Sequence, residues 1–192
     1  VVEQEGGLRV TASGYGNQLT FTPSDRAANA FDDDPDTAWK VGAFSDVRGE
    51  WIQARSTSGP ITTDHLGLLQ AQRATNRFIT KARLSFDGKR SVDVALDASS
   101  RTGAGQVLHF PRRTFTTLRV TVLATDLGVR ASYKNISGVG FTRIDLDGRK
   151  VTEVVRPPTD LLDAVGVRSR DLSLSYVFRR QRTDPADPSL QS

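Results

Sequence analysis

The sequence predicts an all-β fold, an antiparallel β-sandwich with a short C-terminal extension, and three observations carry that expectation. Apolar residues recur at every second position in Leu8, Val10, Ala12; in Ala82, Leu84, Phe86; in Val92, Val94, Leu96; in Leu118, Val120, Val122; and in Ile144, Leu146. Arg, Lys, Asp, Ser or Thr fill the positions between, as in strands with one buried face. Turn signals fall between these runs at Ser13-Gly14, Asp87-Gly88, Thr102-Gly103-Ala104-Gly105 and Asp147-Gly148. No long stretch sustains the 3.6-residue period of an amphipathic helix.

Length and composition bound the rest. A chain of 192 residues can bury one good core and a small appendage. The character changes near Gly148, so residues 1–150 read as the sandwich and 151–192 as an extension. There Arg156-Pro157-Pro158 breaks the chain, and residues 159–166 read as one or two helical turns, capped by Thr159 or Asp160 and stopped by Gly166. Leu172, Leu174, Tyr176 and Phe178 alternate as a final strand that pairs back on the sandwich, and Asp184-Pro185-Ala186-Asp187-Pro188-Ser189 is a linker by composition.

The chain starts with Val and contains no Met, which suggests a piece of a longer polypeptide. The absence of Cys excludes disulfides, thiolate metal sites and cysteine catalysis. No run approaches the ~20 apolar residues of a membrane span, so direct membrane insertion is not expected. Net charge is +4 and the pI about 9.8, but the 26 basic residues are interleaved with 22 acids. Arg112-Arg113 and Arg179-Arg180 are the only adjacent arginine pairs, and neither lies in a basic run interleaved with aromatics, so nucleic acid is not the expected partner. Attraction to an anionic cell envelope is the alternative use of that charge.

The densest chemistry is Ala30-Phe31-Asp32-Asp33-Asp34-Pro35-Asp36-Thr37-Ala38-Trp39, followed by Gly49-Glu50-Trp51-Ile52-Gln53. Four carboxylates in five positions repel one another unless a cation, an Arg or water offsets them. The two tryptophans read as core anchors that pin this turn.

These segments, with Ile79-Thr80-Lys81-Ala82-Arg83-Leu84-Ser85-Phe86-Asp87-Gly88 as a central strand and turn, resemble the discoidin, or coagulation-factor type C, family and the family 32 carbohydrate-binding modules. The resemblance runs from about Leu8 to Gly148. It implies a jelly-roll, galactose-binding-like sandwich whose usual work is gripping glycans or other surfaces, with the first and last strands of the region as neighbours and both ends on one side. Asp32, Asp34 and Thr37 fall where the family supplies structural Ca²⁺ ligands, and Asp33 stands where it prefers Gly, a position that needs φ > 0. Arg143 occupies the place of a Glu that commonly reaches back to the metal. Ca²⁺ and a turn clamped by Arg143, or simply hydrated, are therefore both open.

Sugar sites on such sandwiches combine an aromatic face with hydrogen-bonding side chains on loops. Residues of those types are Tyr15, Asn17 and Gln18; Phe44 and Asp46; His65, read as a loop residue; Asn76 and Arg77; Arg101; and Tyr133, Lys134 and Asn135. The candidates committed to ligand binding are Tyr15, Asn17, Phe44, His65, Arg77, Tyr133 and Asn135, and no more than about a third of such residues line any one site. Neither His65 nor His109 has a triad-like neighbour, and no nucleophile elbow, His-Glu-x-x-His or P-loop occurs, so catalysis is not expected of this chain.

The Arg-rich composition, the insertable topology, Arg156-Pro157-Pro158 and the Asp184-Pro185-Ala186-Asp187-Pro188 exit resemble the discoidin modules embedded in mycobacterial arabinofuranosyltransferases. That implies an extracytoplasmic, noncatalytic module of a larger membrane-associated protein, with cell-wall glycan (arabinan or a related sugar) and the other domains of that protein as partners. The alternative is a structural sandwich that packs on a neighbouring domain and binds no glycan.

Overall fold

The computed structural model describes residues 2–17, 22–73, 75–156 and 159–171, with 173, 175 and 177. Eleven strands form among them: β1 (Val2–Gly6), β2 (Leu8–Ala12), β3 (Trp39–Val41), β4 (Trp51–Ser56), β5 (Ile61–Gln70), β6 (Ile79–Phe86), β7 (Arg90–Ala95), β8 (Gln106–Phe115), β9 (Thr117–Thr125), β10 (Val139–Asp145) and β11 (Val151–Val155). One sheet has the order β2-β4-β9-β6-β7 and the other β3-β10-β5-β8, while β1 and β11 form a separate two-stranded ribbon. All the strand pairs of the two larger sheets are antiparallel.

The alternation does what period 2 requires. Leu8 and Val10 of β2, Ile52 and Ala54 of β4, Leu118, Val120 and Val122 of β9, and Ala82, Leu84 and Phe86 of β6 are all buried. Leu66 and Leu68 of β5, Leu108 and Phe110 of β8, and Phe141 and Ile144 of β10 join them in one continuous core. Trp39 is fully buried, stacks on Phe141 at 6.2 Å between ring centroids, and donates its indole N–H to the Gly14 carbonyl at 2.9 Å. Gly140, opposite Lys40 in the β3–β10 pair, lets the two backbones close up: a Cβ there would lie 1.8 Å from the Trp39 carbonyl oxygen.

Three expectations are corrected. Trp51 is not core: in β4 the buried phase falls on Ile52 and Ala54, so Trp51 lies half-buried on the opposite face, where the Arg119 guanidinium covers its ring at 4.1 Å. His65 is not in a loop but within β5, paired with His109 of β8. The strands at Leu8 and Ile144 are not neighbours, since β2 and β10 belong to different sheets; the flanking strands β1 and β11 pair instead.

Gln4–Thr152 form one compact unit, and residues 1–3 with 153–192 form another. In the second, Arg156 donates from Nε to Glu3 at 2.7 Å, and α1 (Asp160–Val165) ends where Gly166, at φ 62, turns the chain out of the helix. Thr159 precedes α1 but makes no side-chain capping bond. Leu172, Leu174, Tyr176 and Phe178, on which the expected last strand rests, and the Asp184–Ser189 linker lie outside the described residues. No described helix is long and apolar enough to cross a membrane.

The two tryptophans should separate in denaturant titrations. Trp39→Ala removes a fully buried ring and should cost about 3–5 kcal/mol, whereas Trp51→Ala forfeits a half-exposed cation–π contact and should cost about 1 kcal/mol. Equal losses would contradict the assignment of faces.

Candidate functional site

A cavity of about 430 Å³ opens among three loops: residues 42–50 after β3, 71–78 between β5 and β6, and 126–138 between β9 and β10. The first brings Ala43 and Phe44, the second Gln72, Thr75 and Asn76, and the third Arg130, Ile136, Ser137 and Gly138. Most of the lining surface is apolar, with a few convergent polar groups, the usual make-up of a ligand pocket.

Arg77 holds the loops together. Its side chain is buried, with Nε donating to the Ser137 carbonyl at 2.7 Å and Nη2 to the carbonyls of Gly42 at 3.0 Å and Ser45 at 2.8 Å. The Ser137 hydroxyl accepts from the Asn76 and Arg77 backbone N–H groups at 2.9 and 3.0 Å. Burial pushes the Arg77 guanidinium below its usual pKa, and the nearby Asp46 charge opposes that. Asp46 itself is drawn down to about 2, first by its hydrogen bonds with the Arg48 side chain. Arg77, expected among the ligand-binding residues, is bonded to the carbonyls of two neighbouring loops and positions them.

Asn76 is likewise committed to the fold. Its Oδ1 accepts from the Arg130 N–H at 2.8 Å, and its Nδ2 donates to the Arg130 carbonyl at 3.3 Å. Just behind, buried Gln70 donates to the Ile79 carbonyl at 2.9 Å and accepts from the Ile79 N–H at 2.7 Å, tying one sheet to the other at the root of the 71–78 loop.

Phe44 stands on this frame with 68% of its surface exposed. Its backbone takes φ 66, a left-handed conformation that a bulky residue adopts only where its surroundings impose it. The imposing contacts are its own N–H to the Ile136 carbonyl at 2.8 Å and the Arg77 bonds to the residues on either side. An aromatic face fixed beside a cavity can stack on the C–H face of a sugar ring. Gln72, Thr75 and Arg130 line the same cavity; the Gln72 amide nitrogen donates to the Gln70 carbonyl at 3.1 Å and the Thr75 hydroxyl to the Arg73 carbonyl at 3.5 Å, which leaves their oxygens free to accept.

Of the seven candidates for ligand binding, Phe44 alone is among the described residues that line this cavity; Asn76, from the wider set of loop residues, lines it as well. Asn135, at φ 58, sits one residue before Ile136 and shapes the third loop, its N–H bonding the Leu127 carbonyl at 3.3 Å. Tyr133 falls in a 3₁₀ turn of the same loop; its side chain is outside the described residues, as is Gln18. Tyr15 packs half-buried against the core, Asn17 is half-buried, and neither lines the cavity. His65 pairs with Asp64 at 2.8 Å on the sheet surface, apart from it. Arg101 is taken up by the Phe78 ring at 4.3 Å and by Asp126 at 3.1 Å. Gln72, Thr75, Arg130 and Ile136 are not singled out by the sequence; the polar run from Gln70 to Arg77 between two apolar strands is a signal for the first two, and Arg130 and Ile136 have none.

The acidic turn forms a separate structure. Asp32 Oδ1 accepts from the Asp34 N–H at 2.9 Å, and Oδ2 accepts from the Thr37 hydroxyl at 2.8 Å. Burial raises the Asp32 pKa above its ordinary value, against the pull of those hydrogen bonds. Asp33 adopts φ 66 and meets Lys150 Nζ at 2.6 Å and Arg143 Nη1 at 3.6 Å, with Lys150 first among the causes that lower its pKa. Arg143 also donates to the Ala104 carbonyl at 2.7 Å. These residues fit Ca²⁺ poorly: the ion takes six to eight oxygens, yet the Thr37 hydroxyl is spent on Asp32 and two cationic side chains stand against Asp33. Among the described residues, no three His, Asp or Glu side chains are grouped to hold a metal.

No protein-family profile and no curated protein sequence matches the chain. Solved structures do. The arabinofuranosyltransferase AftD from mycobacteria superposes with a TM-score of 0.57 at 20% identity over 82% of this chain, which spans 12% of that protein. A pectin-binding carbohydrate-binding module superposes with a TM-score of 0.51 at 20% identity, over 72% of this chain and 88% of the module. The fifth family 32 module of a Clostridium perfringens protein, in complex with GalNAc-β-1,3-galactose, gives 0.51 at 18% identity, over 71% and 92%. The fold is that of a carbohydrate-binding module of the discoidin type. In this chain the loop cavity beside Phe44, rather than the acidic turn, is the candidate binding site.

If the turn is held by Lys150 and Arg143, the melting temperature should be the same in chelator and in excess Ca²⁺, and Lys150→Ala should lower it only slightly. A Ca²⁺-dependent rise in melting temperature that Asp34→Ala abolishes would reverse this assignment.

Proposed function

We propose that this chain is a noncatalytic carbohydrate-binding module of a larger cell-envelope protein, an arabinan-building glycosyltransferase, and that Phe44 is its sugar-stacking platform. The observation that carries the reading is Phe44: exposed, held in a left-handed backbone conformation, and placed at the mouth of a cavity with Thr75, Gln72 and Arg130 around it. Exposing a large aromatic in a strained conformation destabilises the free module, and a ligand that stacks on the ring gives a reason for it.

The fold shared with a pectin-binding module and with part of AftD supports glycan as the ligand class and arabinan as the first glycan to try. The likeness to part of AftD supports an extracytoplasmic position for the module. Its task there is to hold a polymer while a distant site acts on it, which asks only for weak binding, on the order of −5 to −6 kcal/mol, or tens to hundreds of micromolar.

A second reading has its own support. Leu127 and Val129, in the third loop, are 60% and 82% exposed, and with Phe44 they offer apolar surface at this end of the sandwich to a neighbouring protein domain.

Titration with arabinan fragments, followed by NMR, separates the two. Glycan binding should shift the amides of Phe44, Thr75 and Arg130, leave Leu84 and Val120 unmoved, persist at high salt, and weaken at least about tenfold in Phe44→Ala. The melting temperature of that variant should not fall. If millimolar arabinan and other envelope glycans shift nothing, the packing role of the apolar rim stands instead.

A further inference from the structure

We infer that the opposite end of the sandwich carries an anion site that takes a phosphate group. A cleft of about 370 Å³ lies between the β6–β7 turn and β8, lined by Phe86, Asp87, Lys89, Arg90, Arg112 and Arg113 together with Thr114. Strand β6 begins next to the Arg77 loop and ends at Phe86. Its seven steps at ~3.3 Å each set the two sites about 23 Å apart.

Four cations face this cleft against one carboxylate, and the carboxylate is committed elsewhere. Asp87 Oδ1 accepts from the backbone N–H groups of Thr116 and Thr117 at 3.0 and 2.8 Å. Among the described residues, Lys89, Arg90 and Arg113 form no ion pair, and Arg112 is only weakly attracted to Asp64, whose hydrogen bond is with His65. Like charges gathered in a concave surface raise one another's energy, and a bound anion relieves that.

The crowding is built by the backbone. In a regular strand adjacent residues point to opposite faces, so Arg112 and Arg113 could not both line one cleft. In β8 the pairing with β5 jumps from Arg113 opposite Thr63 to His109 opposite His65, leaving three residues of β8 against one of β5. This bulge contains Pro111, which cannot donate to a ladder and is tolerated because β8 is an edge strand. Arg112 lies within it and Arg113 just past it, and both line the cleft.

Arg113 is also preset. Its guanidinium lies over the Phe86 ring, 5.0 Å from the centroid, and its Nε is buried with no hydrogen-bond acceptor. Facing it, the turn that carries Lys89 and Arg90 is fixed by Asp87 at φ 50 and Gly88 at φ 66. A held guanidinium with unmet donors, flanked by three further cations, matches the oxygens and double charge of a phosphate group better than a single carboxylate. Such a group is carried by phosphorylated glycans and by lipid headgroups, and the site stands whether or not Phe44 binds sugar.

The test uses the 192-residue chain and inorganic phosphate at fixed ionic strength. Amide shifts of Lys89, Arg90, Arg112 and Arg113 should saturate, with loss of at least tenfold in affinity in the double variant Arg90→Gln/Arg112→Gln, both sites being exposed, and in Arg113→Lys, which keeps the charge but loses the fork. Unchanged melting temperatures in these variants make the loss a binding effect. A hexose 1-phosphate and vesicles of phosphatidylglycerol, compared with phosphatidylcholine, then identify whether glycan or lipid carries the group. Shifts that do not saturate, equal shifts in the variants, or binding of a polyuronate without phosphate would overturn the site.

Discussion

The loop end of the sandwich that carries the cavity depends on one buried guanidinium. Taking Arg77 out of water is costly, and its charge has no carboxylate in hydrogen-bonding contact to offset that; three backbone carbonyls from two other loops do so instead. Each of those carbonyls is in turn satisfied only while its loop stays in place. The bond set thus works in both directions: the loops make Arg77 tolerable, and Arg77 makes the loops definite. Phe44 depends on the result, because residues in irregular loops hold a left-handed conformation only when the neighbours on both sides are tied.

The sandwich beneath supplies the rigid footing. Trp39 stacked on Phe141 anchors the short β3, from whose end the Phe44 loop departs, and the close approach at Gly140 keeps β3 against β10. Gln70 joins the two sheets through Ile79 at the point where the loop carrying Arg77 begins. The same strand β6 that leaves this region ends at Phe86, under Arg113, so one element links the loop cavity to the cationic cleft. The acidic turn belongs to neither; its charges are balanced by hydrogen bonds within the turn and by Lys150 and Arg143.

Much of the fold could be read from the chain because the code for a one-sided strand is simple. Leu84 and Phe86 alternate with charged residues and proved to be core, as did the Leu118 to Val122 set. Trp51 was misassigned by weighing size above phase: Ile52 and Ala54 already mark the inner face of that strand, which sends Trp51 outward. The neighbour relation of Leu8 and Ile144 failed because pairing across a sandwich is decided by topology, which alternation does not encode. Phe44 was legible as an exposed aromatic in a polar loop. The role of Arg77 was not, since a buried arginine that binds carbonyls far along the chain has the same local sequence as one that reaches into solvent. The cleft at Arg112 and Arg113 was half-visible as an adjacent pair, and the bulge that gives it meaning arises only from pairing with β5.

The most direct measurement of this account is amide hydrogen exchange in Arg77→Leu, a substitution of similar bulk that cannot donate to the three carbonyls. The account predicts that protection is lost at the amides of Phe44, Asn76 and position 77, which bond within the clamp, while Leu84, Val120 and Phe141 in the sheets keep theirs. Protection unchanged at Phe44 and its neighbours, or lost uniformly through both sheets, would contradict the claim that one guanidinium orders the loops around the cavity.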